Sequence, residues 1–145
     1  MQAIVALLLE TAMRREELCK VQRRHILKNT LLIPETKTEK PRTIPLSGAA
    51  IRIISSLPMR DDGYLIGMRP DSITQAFSRT CKRLGIADLR IHDLRHEATS
   101  RFFEKGFSIP EVALITGHSD WASLKRYTQL KPEDLADKLR ESRSQ

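Results

Sequence analysis

His92, Asp93, Leu94, Arg95 and His96 follow one another directly. On a helix, positions three apart share a face, so His92 and Arg95 can address one ligand. A guanidinium grips two phosphate oxygens in a fork, and an imidazole moves a proton near neutral pH. The bare pattern H-x-x-R is common, however, and His96 reads as structural or solvent-facing. A second run, Ile115-Thr116-Gly117-His118, is followed nine residues later by Tyr127. Gly117 reads as a helix stop, which puts His118 on a turn. There a histidine can simply cap the helix C-terminus, where the dipole favours it. Tyr127, in turn, can be a core aromatic with its hydroxyl at the surface.

Two further groups carry charge suited to the same chemistry. Thr11-Ala12-Met13-Arg14-Arg15-Glu16-Glu17-Leu18 gathers two arginines and two glutamates at a helix start. Such a set is usually a solvated face with local ion pairs. Lys37 lies in the polar connection Thr36-Lys37-Thr38-Glu39-Lys40, where lysines ordinarily blunt an exposed turn or sheet edge. Taken singly, each feature has an ordinary structural explanation.

Taken in order, they resemble the active-site signature of the tyrosine recombinase (phage integrase) family. That signature runs T-G-x-R-x-x-E-L, a lysine in a β-hairpin, H-x-L-R-H, L-G-H, and a tyrosine nine residues beyond. Here it is written as Thr11 to Leu18, Thr36-Lys37, His92 to His96, Thr116-Gly117-His118 and Lys125-Arg126-Tyr127. The resemblance covers nearly the whole chain. Ala12 stands where the family has glycine and Thr116 where it has leucine, and neither change removes a reactive group.

The resemblance implies site-specific DNA recombination, by integration or excision. Tyr127 would attack a scissile phosphodiester, forming a 3′-phosphotyrosine and releasing a 5′-hydroxyl. Arg14 and Arg95 would brace the non-bridging oxygens, and His118 would donate a hydrogen bond to one of them. His92 is the expected general base for a phenol of pKa about 10, and Lys37 the general acid for the departing 5′ oxygen. Glu17 is expected to support them by pairing with a nearby arginine or histidine. Double-stranded DNA and other protomers in a synaptic tetramer are the implied partners. A phosphotyrosine conserves the bond energy, so no metal, ATP or other cofactor is expected. The sequence agrees, having no P-loop, no dense carboxylate cluster and no zinc-type Cys/His spacing. Arg42, Arg79, Lys82, Arg83 and Arg101 are candidates for contacts to the DNA backbone. Two other readings share some of these features: a type IB topoisomerase, and a non-catalytic helical DNA-binding module. The full set of Arg14, Lys37, His92, Arg95 and Tyr127 argues against a pure binder. The turn at His118 and the compact size favour a recombinase over a topoisomerase.

The elements that must position these groups are mostly helical. Helical patterning runs from Gln2 to about Val21, interrupted near residues 12–15. Between Ile26 and Leu46 come two or three short antiparallel strands, with 36–41 as a hairpin connection. Ser47 caps a helix to Leu57 with Ile51, Ile53, Ile54 and Leu57 as its buried positions. Helices follow from about residue 70 to Leu84, from His92 to Lys105, and after Ser108 as far as Gly117. Two more, Trp121 to Gln129 and Pro132 to Arg140, end the chain. The expected fold is therefore mostly α with a small antiparallel β-sheet, the catalytic-domain type of DNA breaking-rejoining enzymes.

Composition sets the bounds. With 145 residues, 40% hydrophobic and 30% charged, the chain has room for one soluble domain, residues 1–145. The resemblance implies that a preceding core-binding domain belongs to the whole protein. A formal charge of +7 and a pI near 9.8 favour a polyanionic partner, nucleic acid before membrane. The apolar run 3–9 is too short to span a bilayer and lacks signal-peptide flanks. Cys19 and Cys81 read as reduced thiols of a cytoplasmic protein, bacterial or phage-encoded.

Overall fold

A break after Thr11 divides the first helical stretch in two: α1 spans Gln2–Thr11 and α2 spans Arg15–Lys20. This computed structural model describes residues 1–143 apart from 38, 129 and 130. A 3₁₀ turn, Arg23–His25, leads into strands β1 (Ile26–Leu27), β2 (Thr30–Ile33) and β3 (Arg42–Pro45). Four helices follow: α3 (Gly48–Ser56), α4 (Pro70–Arg83), α5 (Asp93–Glu104) and α6 (Ile109–Thr116). A 3₁₀ helix, Trp121–Tyr127, and α7 (Pro132–Arg143) complete the order.

The strands form an antiparallel sheet in the order β1-β2-β3. Leu31 pairs with Ile44 in a register that buries both. Strand alternation sends their neighbours Leu32 and Thr43 outward. The main core gathers Leu7 and Leu8 of α1, Leu18 of α2, these strand residues and Ile73 and Phe77 of α4. Helix α1 lies against both α3 and α5. A smaller cluster joins Val112 and Ala113 of α6 to Leu124, with Phe102, Phe103 and Tyr127 packed on it.

Local signals explain the ends. Ser47 accepts a hydrogen bond from the Ala50 N–H, and Ser108 and Glu111 form a reciprocal capping box at the start of α6. The exposed face of α3 is wider than the expected pattern allowed. Ala50 and Ile54 are buried, whereas Ile51, Ile53 and Leu57 are only partly covered. The segment from Trp121 is a 3₁₀ helix rather than the expected α-helix, and Gln129 lies outside the described residues. Winding at three residues per turn aligns positions three apart. That places buried Leu124 and Tyr127 on one side, facing the second cluster. Among the described residues no helix is long and apolar enough to cross a membrane.

Candidate active site

Arg95 sits one turn into α5 and is only 4% exposed. Its Nη1 donates to the Ala12 carbonyl at 2.6 Å and its Nη2 to the Thr116 carbonyl at 2.7 Å. The guanidinium thus bridges the end of α1 and the end of α6. Burial, and then the nearby Arg14 cation, lower its pKa to about 10, so it remains charged at neutral pH. Two fixed carbonyls leave it little rotational freedom.

Ala12 makes the first of those carbonyls available by ending α1 in the left-handed conformation, with φ 57°. This is the position where the recombinase signature has glycine, the residue that adopts such a φ without strain. Gly117 ends α6 in the same way, with φ 81°. A Cβ there would stand 3.0 Å from the Arg42 guanidinium, so both backbone angle and close approach favour glycine.

Arg14 precedes α2 and is held by its own backbone, whose N–H donates to Glu17 Oε1 at 2.8 Å. Its side chain reaches Glu39 of the hairpin, Nη1 to Oε1 at 2.9 Å. That ion pair is poorly aligned, leaving the buried Nη1 without a hydrogen-bond acceptor. A small pocket is lined by Arg14, Arg15, Glu16, His92 and Arg95. Glu39 thus pairs with one of the arginines that line this pocket.

Glu17 is 1% exposed and pairs with Arg42 of β3, whose side chain is 10% exposed. Both carboxylate oxygens receive Arg42, while Arg42 Nε donates to the Ile115 carbonyl at 3.0 Å. This corrects the expectation that Arg42 faces the DNA backbone. A carboxylate as buried as Glu17 must be paired, and β3 places Arg42 to meet it. The pair links α2, β3 and α6, the elements that carry Arg14 and His118.

His118 follows Gly117, and its Nδ1 lies 2.6 Å from Thr116 Oγ1. That hydroxyl donates its proton to the Val112 carbonyl at 2.9 Å, so the ring Nδ1–H is the donor to it. Burial comes first, then Arg95, Arg14, Arg126 and Arg42, in pushing the His118 pKa down to about 4. The ring is therefore neutral at pH 7, and its Nε2 carries a lone pair. Threonine in place of leucine at position 116 thereby fixes the tautomer.

Tyr127 stacks on Phe103, with centroids 6.0 Å apart, and places its hydroxyl 2.6 Å from His96 Nδ1. Arg126 Nη2 lies 2.9 Å from both atoms. His96 is half-buried and bonded, which fits the structural one of the two expectations for it; its contact with Tyr127 was not anticipated. His92 meets the His96 ring edge-on, centroids 5.1 Å apart, and no direct contact joins it to Tyr127 among the described residues. The helical spacing His92, His96, Phe103 on one face of α5 was the available signal.

Lys37 is not gathered in with these groups. It is exposed at the tip of the hairpin, where Thr36 N–H donates to the Glu39 carbonyl at 3.0 Å. It lines a cleft with Glu16, Cys19 and Tyr64. Arg79, Lys82 and Arg83 are exposed on α4, and Arg101 forms a surface ion pair with Glu97 on α5. No three His, Cys, Asp or Glu side chains among the described residues gather as a metal site.

The sequence matches the model of the phage integrase family over residues 1–134. It is 40% identical over 145 residues to the shufflon-specific DNA recombinase of Escherichia coli, covering 98% of this chain and 38% of that protein. The chain thus spans well under half the length of that curated relative. The fold superposes on the catalytic domain of the bacteriophage HP1 integrase with TM-score 0.74 and 25% identity, covering 95% and 79% of the two chains. It also superposes on the Tn1549 transposon integrase, solved in complex with a circular intermediate DNA, with TM-score 0.76 and 18% identity, covering 97% and 57%.

Proposed function

The chain belongs to the phage integrase family of tyrosine recombinases, and from that premise we propose that it cuts and rejoins double-stranded DNA through Tyr127. The observation that carries the proposal is the shared support of Arg95, His118 and Tyr127. The first is fixed to the carbonyl before His118's turn, and the third is hydrogen-bonded to the residue after Arg95.

A scissile phosphate entering the pocket displaces Glu39 from Arg14 and takes that carboxylate's place as the anion. Arg14 and Arg95 then brace the two non-bridging oxygens and stabilise the charge that grows as Tyr127 attacks phosphorus. Burial and, after it, the surrounding arginines hold His118 neutral; the phosphate's negative charge opposes both, so His118 gains a proton and donates through Nε2. Tyr127 becomes linked to the 3′ phosphate, and the 5′ oxygen leaves with a proton from Lys37, brought over as the hairpin closes on DNA. Glu17 supports this indirectly, by holding Arg42 and capping the helix that follows Arg14. The bond energy stays in the phosphotyrosine, so rejoining needs neither metal nor ATP. Arg79, Lys82, Arg83 and Arg101 contact backbone phosphates and position the duplex without reading it. Exposed Leu135 and Leu139 of α7 dock on another protomer in the synaptic tetramer.

The test is a covalent trap. The chain is incubated at low salt with a pool of duplexes of randomised sequence carrying bridging sulfur at the scissile 5′ positions. The expected product is a protein–DNA adduct that mass spectrometry maps to Tyr127 and that Tyr127→Phe abolishes. An adduct on Tyr64, or one that survives Tyr127→Phe, overturns the proposal. Relaxation of supercoiled plasmid without exchange between two duplexes would instead favour topoisomerase-like action.

A further inference from the structure

We propose that His96 is the base that takes the Tyr127 proton, with Arg126 stabilising the phenolate as it forms. The proposal rests on reading Tyr127 as the nucleophile and moves the base from His92, one helical turn earlier, to the residue in contact with the phenol.

The hydrogen-bond chemistry sets the direction of the proton. Arg126 Nη2 stands 2.9 Å from His96 Nδ1, and a guanidinium only donates. That nitrogen therefore carries a lone pair, and the imidazole proton is on Nε2. In the 2.6 Å contact between Nδ1 and the Tyr127 hydroxyl, the phenol must be the donor. Arg126 also donates to the phenol oxygen at 2.9 Å, placing positive charge where the oxygen becomes anionic. Arg126 and the phenol share the one Nδ1 lone pair, so the phenol proton passes to it as the Arg126 N–H shifts wholly onto the oxygen that loses it.

The ring's neighbours keep it in the base form. Arg126 and Tyr127 face it from the 3₁₀ helix, and His92, Asp93 and Arg95 from its own helix. Burial first, and then Arg126, hold its pKa below the ordinary imidazole value, with Asp93 opposing them. The ring is accordingly neutral at pH 7. Phe103, stacked on Tyr127 at 16° between planes, fixes the phenol from its other side.

The step balances. The Tyr127 O–H bond breaks and its proton passes to His96 Nδ1, giving an imidazolium. The phenol oxygen bonds to phosphorus, and the bond from phosphorus to the 5′ oxygen breaks, that oxygen taking its proton from Lys37. When the 5′-hydroxyl later attacks, it returns its proton to Lys37, its oxygen bonds to phosphorus, and the phenolate leaves and recovers its proton from His96. His92, whose ring meets His96 edge-on, is a positioning residue in this scheme.

Phenol activation can be read without DNA, using an aryl sulfonyl fluoride that labels ionised tyrosines, with sites and rates followed by mass spectrometry. Tyr64 serves as the internal reference. His96→Asn keeps an acceptor near the Nδ1 position but cannot hold the proton. It is expected to slow Tyr127 labelling about a hundredfold, the usual order for losing a general base, with Tyr64 unchanged. The rise of labelling rate with pH through the imidazole titration should disappear as well. His92→Asn should slow labelling several-fold less than His96→Asn does, because its ring reaches the phenol only through His96. Should His96→Asn not fold, His96→Gln takes its place in the same comparison. Wild-type labelling in the His96 variant, or a hundredfold loss in the His92 variant, overturns the assignment. Failure of the nucleophile reading is separate. Fast, His96-dependent labelling without any Tyr127–DNA adduct would remove Tyr127 as nucleophile. An adduct formed at wild-type rate by His96→Asn would remove His96 alone.

Discussion

Arg95 is 4% exposed and held by two backbone carbonyls, whereas Lys37 stands in solvent at the tip of a hairpin. Both are assigned to one phosphate, and the contrast follows from what each must do. Charge on non-bridging oxygens is met best by donors already in place, since any rearrangement in the transition state would subtract from their effect. A proton donor has to arrive beside one oxygen and be renewed from water, which suits an exposed turn with few buried contacts. The Glu17–Arg42 pair extends the fixed region into β3 and α6. The Arg14–Glu39 pair marks the boundary, with one partner on each side.

The contrast breaks first at Glu17. Glu17→Ala leaves the Arg42 guanidinium buried without its carboxylate, and loss of one partner from such a pair costs about 3–5 kcal/mol. Urea unfolding should show that loss, while Lys37→Ala should stay within about 0.5 kcal/mol of the parent. Similar effects of the two would mean that the fixed region is not fixed by this pair. Glu39→Gln probes the boundary. It should leave stability within about 1 kcal/mol, as partly exposed ion pairs do. Binding to generic duplex DNA at fixed salt should tighten severalfold, because a competing anion has gone from Arg14. Unchanged or weaker binding would mean that Glu39 does not compete for the phosphate seat. The smallest effect is expected at Ala12. A left-handed φ costs a non-glycine residue roughly 1–2 kcal/mol. Ala12→Gly relieves that strain but gives up a buried methyl, worth about 0.8 kcal/mol, and adds chain entropy of about 0.5–1 kcal/mol. The net change in unfolding free energy should lie within about 1 kcal/mol, with DNA cleavage unaltered.

Elements with local signals were legible in the sequence. Ser47, Ser108, Gly85 and Gly117 mark helix ends through their own side chains or lack of one, and the structure has those ends. The small sheet was legible from its short β-favouring runs and the polar hairpin between them. Position 12 stood out as a substituted glycine, and its left-handed backbone explains why. Interactions across long sequence separations were not legible. Nothing near Arg42 indicates that Glu17, 25 residues away, draws it inward, so it read as a surface cation. His96 was passed over because consecutive residues on a helix do not face the same way as each other. Only the packing of Tyr127 across α5 shows where its ring is used.

The measurement that bears most directly on the division of labour uses duplexes recovered from the covalent trap, with oxygen or sulfur at the bridging 5′ position. A departing thiolate has a conjugate acid stronger by roughly 7 pKa units than water, so it leaves without a proton donor. Lys37→Ala should cleave the oxygen substrate on the order of a hundredfold slower than the parent, and the sulfur substrate within about tenfold of it. Arg95→Ala should lose on the order of a hundredfold or more on both, because the non-bridging oxygens are the same in each. Equal loss of Lys37→Ala on both substrates, or recovery of Arg95→Ala by sulfur, would contradict the assignment of a fixed electrostatic clamp and a separate, exposed proton donor.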